Sequence, residues 1–372
     1  MGKKTQKNKV LMISYQYPPD IGGAGVVAQD VARLLQNDVD ITLLTLDKGS
    51  QVKETFQVIQ AKTQRPIRFL GLWKIIKKTD TSQYKKIILN DTGSCVVAAL
   101  FFPSDLKKKC IIYLHGSEPE NIFQKPEIML RLLSFKNKYI ELLRQCAHII
   151  AVSDYMKNKF LEMTKLTEYK TKISVINNGV NPDLFYRKKN QLKTHLNIPS
   201  TAKVLLTTGR VTKKKGFDKK LEYFEDLTKK LNCYWVIIGN GTYKSTLKVK
   251  IDEKELSDKI IWIDRIPREK LADYYSMADL FWLLSEYNEA FGLVYIEANF
   301  CGCPVLGNNK GGVPYIIEEG VTGYVVTANE PIQAIIQKML FEKDFKPQVI
   351  RLAVEKYSLE HTKYKLINLI NN

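Results

Sequence analysis

The stretch Glu289-Ala-Phe-Gly-Leu-Val-Tyr-Ile-Glu297 runs on through Ala298 to Cys301-Gly-Cys-Pro-Val305 and Gly311-Gly-Val-Pro314, joining two carboxylates to a helix start and two glycine turns. Residues 280–284 ahead of it read as a buried apolar strand, 285–290 as a polar loop, and Phe291 onward as a helix ending near Cys301/Gly302. Glu289 therefore precedes the helix and Glu297 rides on it. At a rise of roughly 1.5 Å per residue, their carboxylates are expected roughly 10 Å apart. A retaining hydrolase wants its carboxyl pair about 5 to 5.5 Å apart, so the spacing speaks against an acid and nucleophile pair. It suits a ligand held at both ends. The amides of Phe291, Gly292 and Leu293 are expected to point out of the helix start, where the dipole is positive and a phosphate belongs. Gly292 would let the ligand approach the backbone, and Glu289 would turn from the phosphates toward sugar hydroxyls. The implied ligand is a sugar, a diphosphate and a ribose.

Outward from this stretch, strand and helix patterns alternate. Residues 10–14, 40–46, 86–89, 111–114 and 149–152 read as strands of a first part, and 204–208, 234–238, 260–263, 280–284 and 304–306 as strands of a second. The pattern implies an α/β protein with two parallel sheets, each clad in helices. A chain of 372 residues exceeds one ordinary core, which also implies two domains. The polar run Tyr186-Arg-Lys-Lys-Asn-Gln-Leu-Lys193 reads as the linker, giving domains 1–186 and 187–350 and a terminal segment 351–372. The ligand is expected in the cleft between the halves.

Four strand ends carry turn chemistry. The strand to Thr208 runs into Gly209-Arg210-Val-Thr-Lys-Lys-Lys215-Gly216, where a guanidinium could fork two phosphate oxygens and a lysine supply a point charge. Lys213, Lys214, Lys219 and Lys220 in the same stretch read as solvated. The strand to Ile238 runs into Gly239-Asn-Gly241, whose missing side chains would let a nucleotide lie close to the backbone. Near the start, the strand to Ser14 is followed by Tyr17-Pro-Pro-Asp-Ile-Gly22-Gly23-Ala-Gly25, opening a helix through Leu35. The strand to Leu114 runs into His115-Gly-Ser-Glu118 at the mouth of a parallel sheet, where ligands collect in doubly wound folds.

With these segments in place, the chain resembles the family 4 glycosyltransferases, whose signature is two Glu separated by seven residues around a Phe-Gly-Leu core, here Glu289 and Glu297 around Phe291-Gly292-Leu293. The resemblance covers nearly the whole chain. It implies the GT-B fold, two Rossmann-like domains facing a central cleft, with the first binding the acceptor and the second the donor. It gives residues 359–370 the place of the helix that crosses back onto the first domain. By the same resemblance Glu289 binds the donor sugar, Glu297 the ribose hydroxyls, and Arg210 and Lys215 the diphosphate. Gly23, Gly209, Gly239 and Gly241 line the donor, Ile266 contacts the base, and His115 lies near the donor sugar and the reacting centre. Retaining, metal-independent transfer from a nucleotide sugar follows, with no cofactor; front-face substitution would need no protein nucleophile. Tyr315 stands where many relatives have Glu, Asp264-Arg265 replace a common Gly turn, and Ala290 replaces a frequent Gly. These departures leave UDP versus GDP and hexose versus N-acetylhexosamine open. A phosphorylase or epimerase on the same fold, or a non-catalytic nucleotide-sugar sensor, are the competing classes.

Composition narrows the setting. Six cysteines form no disulfide framework, and Cys301-Gly-Cys303 lacks partners for zinc, so reduced thiols in the cytoplasm are expected. The longest apolar run, 95–102, is too short to span a bilayer, and 1–9 lacks the pattern of a signal peptide. Asp38-Val-Asp40 falls at a turn with no third ligand, which argues against a metal. The net charge is +18, and residues 61–110 hold eleven Lys or Arg against Asp80, Asp91 and Asp105. Phe69-Leu-Gly-Leu-Trp73-Lys-Ile-Ile-Lys-Lys78 and the stretch from Met129 to Ile140 mix apolar and basic residues. They read equally as amphipathic core helices with a solvated basic face and as a surface for an anionic leaflet. No nucleic-acid module is recognisable. The expected partners are a nucleotide sugar and a glycan or lipid-linked acceptor, in cell-surface polysaccharide synthesis at the inner face of the membrane.

Overall fold

The computed structural model describes residues 7–18, 22–49, 51–62, 68–327 and 331–371. The chain forms two compact units, Met1–Gly179 with Leu359–Asn372, and Val180–Ser358. In the first, strands β1 (Lys9–Ser14), β2 (Asp40–Leu46), β3 (Gln57–Ala61), β4 (Lys86–Leu89), β5 (Cys110–Leu114), β6 (His148–Ala151) and β7 (Ile173–Val175) form a parallel sheet ordered β3-β2-β1-β4-β5-β6-β7. In the second, β8 (Lys203–Thr208), β9 (Cys233–Ile238), β10 (Ile260–Ile263), β11 (Leu280–Leu283), β12 (Val305–Asn308) and β13 (Gly323–Val326) form another, ordered β10-β9-β8-β11-β12-β13. Every pairing is parallel; Leu11, for example, sits between Thr42 and Ile87. Both central strands are buried along nearly their whole length, which is why KVLMIS and KVLLTT read as apolar runs rather than alternations. Each order reverses once, at β1/β4 and at β8/β11, and a crevice outside the carboxyl ends follows at each.

Three strands were not expected from the sequence: β3, β7 and β13. All are sheet edges, only partly buried, so their patterns are short and mixed. The basic run 186–193 is not a free linker. Lys188 N–H donates to Ser276 Oγ at 2.9 Å, and Lys193 Nζ lies 3.2 Å from Asp279 Oδ2, which ties the run to the second unit. The chain passes between units at Gly179/Val180 and again at Ser358/Leu359. Helix Leu359–Asn371 packs on helix Gly23–Leu35 in the first unit, with Lys363 Nζ 2.9 Å from Asp38 Oδ2. Helix Pro347–Val354 stays with the second unit, against helix Leu293–Phe300.

The core of the second unit is aromatic. Trp235 on β9 and Trp282 on β11 meet edge to face at 5.1 Å, and Phe217 and Phe224 close over them. Lys220 sits in this core, fully buried, which corrects its reading as a solvated lysine. Its Nζ lies 4.1 Å from the centroid of Phe217 and within 6 Å of both tryptophan rings. Its only described hydrogen bond runs to Thr207 Oγ1 at 3.3 Å. Burial, and then the charge of Lys215, pull its pKa well below the ordinary lysine value. The neighbouring Lys213, Lys214 and Lys219 are exposed.

Candidate active site

In the second unit the carboxyl ends of β8 and β11 bring Lys215 to Glu289. Glu289 follows β11 by six residues; Oε1 accepts from Lys215 Nζ at 2.6 Å and Ser285 Oγ at 2.7 Å, and Oε2 from Tyr287 OH at 2.8 Å. Lys215 reaches it from the short helical turn after β8, its ammonium also 5.0 Å over the Tyr287 ring. Burial alone would lower the Lys215 pKa; the Glu289 charge and hydrogen bond outweigh it, and the ammonium is held above the ordinary value. The pair keeps about one-seventh of its side-chain surface exposed. The backbone is clamped as well, since Gly312 N–H donates to Glu289 O at 2.6 Å.

Gly209 and Arg210 lie at the end of β8, both exposed. Arg210 has no hydrogen bond or ion pair among the described residues, in contrast to Lys215. Gly239, at the end of β9, has φ +147°, and a Cβ there would lie 1.9 Å from Gly209 O. Only glycine lets these two strand ends lie together, which opens the surface where Gly241 and Ile266 follow. Trp262 Nε1 braces the same turn, donating to Gly239 O at 3.1 Å. Of the residues that depart from the family pattern, Asp264 pairs with Lys244 and Tyr315 is exposed.

The helix begins at Leu293, two residues later than expected, because Gly292 caps it in a left-handed conformation with φ +101°. A Cβ at Gly292 would press on Tyr295 and Ile316. Phe291 is consequently buried and stacks edge-on against Tyr357. Tyr295 N–H donates to Gly292 O at 3.0 Å, while among the described residues the Leu293 and Val294 amides have no acceptor and the helix has no side-chain cap. This corrects the expectation that the Phe291 and Gly292 amides belong to the helix start.

Glu297, 4 % exposed, lies in a separate arrangement. Arg268 Nη2 is 2.9 Å and Nε 3.2 Å from its Oε1, and Tyr275 OH donates to its Oε2 at 3.2 Å. Tyr275 OH also meets Thr208 Oγ1 at 2.8 Å, tying the carboxylate to β8. The Arg268 guanidinium lies 5.2 Å over Phe185. Sequence reasoning missed Ser285, Tyr287, Arg268 and Tyr275. The first two could have been found, since they stand in the loop after a central strand; Arg268 and Tyr275 reach Glu297 only through the fold.

In the first unit, His115 follows β5 and its ring stacks on Tyr113 at 5.5 Å. Asn90, just after β4, donates through Nδ2 to Ser14 Oγ and Ala24 O, which leaves its Oδ1 as the acceptor facing His115 Nε2 at 3.1 Å. His115 therefore carries its proton on Nε2 and offers Nδ1 as an acceptor. Although part of the residue is exposed, desolvation of the ring lowers its pKa to about 4 despite the charge of Asp91. Asp91 is buried and takes up Tyr15 N–H, Gln16 N–H, Ser94 N–H and Ser14 Oγ–H, knitting β1 to β4. Glu118 accepts from His115 N–H and Gly116 N–H at 3.0 and 2.7 Å and holds the His-Gly turn. Gly23 opens helix Gly23–Leu35 with no atom near where a Cβ would stand. Residues 19–21 of its loop lie outside the described residues.

All six cysteines are buried free thiols, and burial raises their pKa values. No helix among the described residues is long and apolar enough to cross a membrane.

Two family models match the chain in succession: Glycosyltransferase Family 4 over residues 21–184, and Glycosyl transferases group 1 over 188–349. The uncharacterized glycosyltransferase MJ1607 of Methanocaldococcus jannaschii is 23% identical, over 97% of each chain. N-acetyl-alpha-D-glucosaminyl L-malate synthase of Bacillus anthracis is 25% identical over 63% of this chain and 59% of its own. Among solved structures, Anabaena Alr3699/HepE in complex with UDP and glucose superposes with a TM-score of 0.81 at 19% identity, covering 98% of this chain and all of that one. The two family models, which between them take in most of the chain, and the likeness of both sheets to a solved glycosyltransferase-type fold lead to one conclusion: the chain belongs to the family 4 glycosyltransferases and has the GT-B fold.

Proposed function

We propose that the protein is a retaining, metal-independent glycosyltransferase that moves a hexosyl or N-acetylhexosaminyl group from a nucleotide diphosphate sugar to a glycan or lipid-linked acceptor in cell-surface polysaccharide synthesis, working at the cytoplasmic face of the membrane. The observation that supports it most is the Lys215–Glu289 pair after β8 and β11, with Arg210 exposed at the end of β8. In this reading Arg210, Lys215 and the Leu293 and Val294 amides at the start of helix Leu293–Phe300 take the diphosphate and the charge that develops on it as the sugar departs. The positive side chains supply the stabilisation that a divalent cation gives in other nucleotide-sugar enzymes. Glu289, oriented by Lys215, Ser285 and Tyr287, faces the sugar hydroxyls. Glu297, oriented by Arg268 and Tyr275, takes the ribose, and the base lies along Gly239, Gly241 and Ile266. Phe291, Gly292 and Leu293 shape the backbone approach between them. In the first unit, His115 and Gly23 contact the transferred sugar, His115 as a neutral acceptor. The acceptor oxygen attacks on the face that the nucleotide leaves, so no protein nucleophile is required.

The test is nucleotide release from UDP-, GDP- and ADP-sugars in EDTA, with and without a lipid extract, followed by assignment of the product anomer by NMR. One donor is expected to stand out, release to survive EDTA and rise with lipid, and the donor anomer to be kept. Loss of activity in EDTA that added Mg²⁺ or Mn²⁺ restores would overturn metal independence; an inverted anomer would overturn retention. Donor turnover without any acceptor would favour an epimerase, a phosphate requirement a phosphorylase, and binding without release under every condition a sensor.

A further inference from the structure

Helix Ile128–Leu132 in the first unit turns its apolar side outward. Ile128 and Leu132, four residues apart and so on one helix face, are 71 % and 81 % exposed, while Leu130 between them is buried. The helix is anchored from behind: it packs on helix Phe135–Gln145, where Phe135 and Tyr139 are buried. Between the two helices Ser134 adopts a left-handed conformation, φ +50°, which turns the chain sharply and presents the first helix as a ridge. Around the ridge, residues 124–138 carry exposed Lys125, Arg131, Lys136 and Lys138 against one exposed acid, Glu127. The basic helix Arg68–Lys78 packs on helix Thr92–Phe101, which packs in turn on Phe135–Gln145.

We infer that this ridge is the surface by which the protein docks on an anionic lipid leaflet, Ile128 and Leu132 entering the boundary between headgroups and acyl chains while the surrounding cations meet lipid phosphates. The inference rests on the reading of a lipid-linked acceptor and names the surface that brings the enzyme to it. Charge favours this occupant over a protein: a cationic rim around two aliphatic side chains complements a phosphate-rich plane. Area favours it too, because a five-residue helix offers a small fraction of the about 800 Å² per partner that a stable protein interface buries. The other exposed apolar pair, Val349 and Leu352 in the second unit, differs in its surroundings. Acids Asp344 and Glu355 alternate there with the cations, and Arg351 is engaged with the carbonyls of Phe185 and Phe300.

The full chain is to be sedimented with vesicles of phosphatidylglycerol and phosphatidylethanolamine, and with vesicles of phosphatidylcholine alone. Binding to the anionic vesicles is expected, weak at high salt and weak on phosphatidylcholine. The double variant Ile128→Ser/Leu132→Ser is expected to lower the partition coefficient about tenfold to a hundredfold, and Lys136→Glu/Lys138→Glu by about tenfold or more. These positions are exposed, so both variants are expected to keep the wild-type thermal transition and donor affinity. No binding by the wild type, or binding by the double apolar variant equal to wild type, overturns the inference. A wild-type dimer in light scattering that the double variant abolishes would assign the ridge to a second copy of the chain and overturn it as well. Vesicle binding that the variants abolish, in a protein that binds no nucleotide sugar, would leave the docking surface standing while the transferase reading fails.

Discussion

The two units present the same topological feature, a reversal of strand order with a crevice at the carboxyl ends, and fill it with opposite chemistry. At β1/β4 the crevice is closed by a buried carboxylate: Asp91 satisfies three backbone amides and a hydroxyl, and beside it Asn90 holds a neutral His115. At β8/β11 the strand ends carry cations, Arg210 exposed with no partner among the described residues and Lys215 kept charged by Glu289. The sheet sets where a ligand can lie; the few side chains after each central strand set which ligand it is. An acid spent on backbone amides makes a rigid floor, whereas an acid spent on a lysine makes a poised polar pair. The comparison yields predictions in descending size.

Glu289→Gln is expected to break the second crevice, lowering turnover about 10²- to 10³-fold in a steady-state assay, since the Lys215 ammonium loses the charge that orients it. A turnover within threefold of wild type would show that Glu289 is only structural. Asp91→Ala is expected to act on stability: burying amides without an acceptor should cost about 3 kcal/mol or more, read by urea unfolding. If instead stability holds and turnover falls, Asp91 serves the ligand rather than the backbone and the contrast collapses. Arg210→Ala, at an exposed unpaired position, should leave the thermal transition in place and weaken donor binding about ten- to a hundredfold by calorimetry. Glu297→Ala should weaken donor binding to a similar degree, and with Arg268→Ala should be less than additive, because Arg268 acts through Glu297.

Smaller effects come from the groups whose charged form burial disfavours. Lys220→Met should stabilise the second unit by about 1–2 kcal/mol at neutral pH, because it removes an amine with one long hydrogen bond from an aromatic core. The folded pKa of Lys220 lies below its unfolded value of 10.5, so in the wild type stability is lost as pH falls through that value and levels off below the folded pKa. The variant should lack this slope. His115 has the same sign in a lower window: stability should fall as pH drops from 6.5 and level off near 4, and His115→Gln should flatten that window relative to wild type in pH-dependent melting.

What could be read in advance follows from which interactions are local. Nine of the thirteen strands were legible because central parallel strands are buried on both faces and leave unbroken apolar runs, as in Ile111–Leu114 or Leu280–Leu283; the edge strand β10 was legible from its IIWI run, whereas the edge strands β3, β7 and β13 carry no such signal. Glu289, Arg210 and Lys215 were legible because each stands in the turn after a central strand, where the fold class alone places ligands. The start of the helix was misplaced by two residues, since the sequence does not reveal that the φ of Gly292 is positive.

The sequence by itself determined the alternation of strand and helix, the two sheets, and the family, because these rest on burial patterns and turn residues within a few positions of one another. Only the tertiary structure decided that Lys220 lies in the aromatic core while Lys219 does not, although the two are neighbours of one type. It also decided that Glu297 is met by an arginine 29 residues away, that Asp91 is committed to backbone amides just after β1, and that Ile128 and Leu132 face outward. Each of these depends on which distant segment covers a side chain, and that is set by packing between elements rather than by the residues on either side.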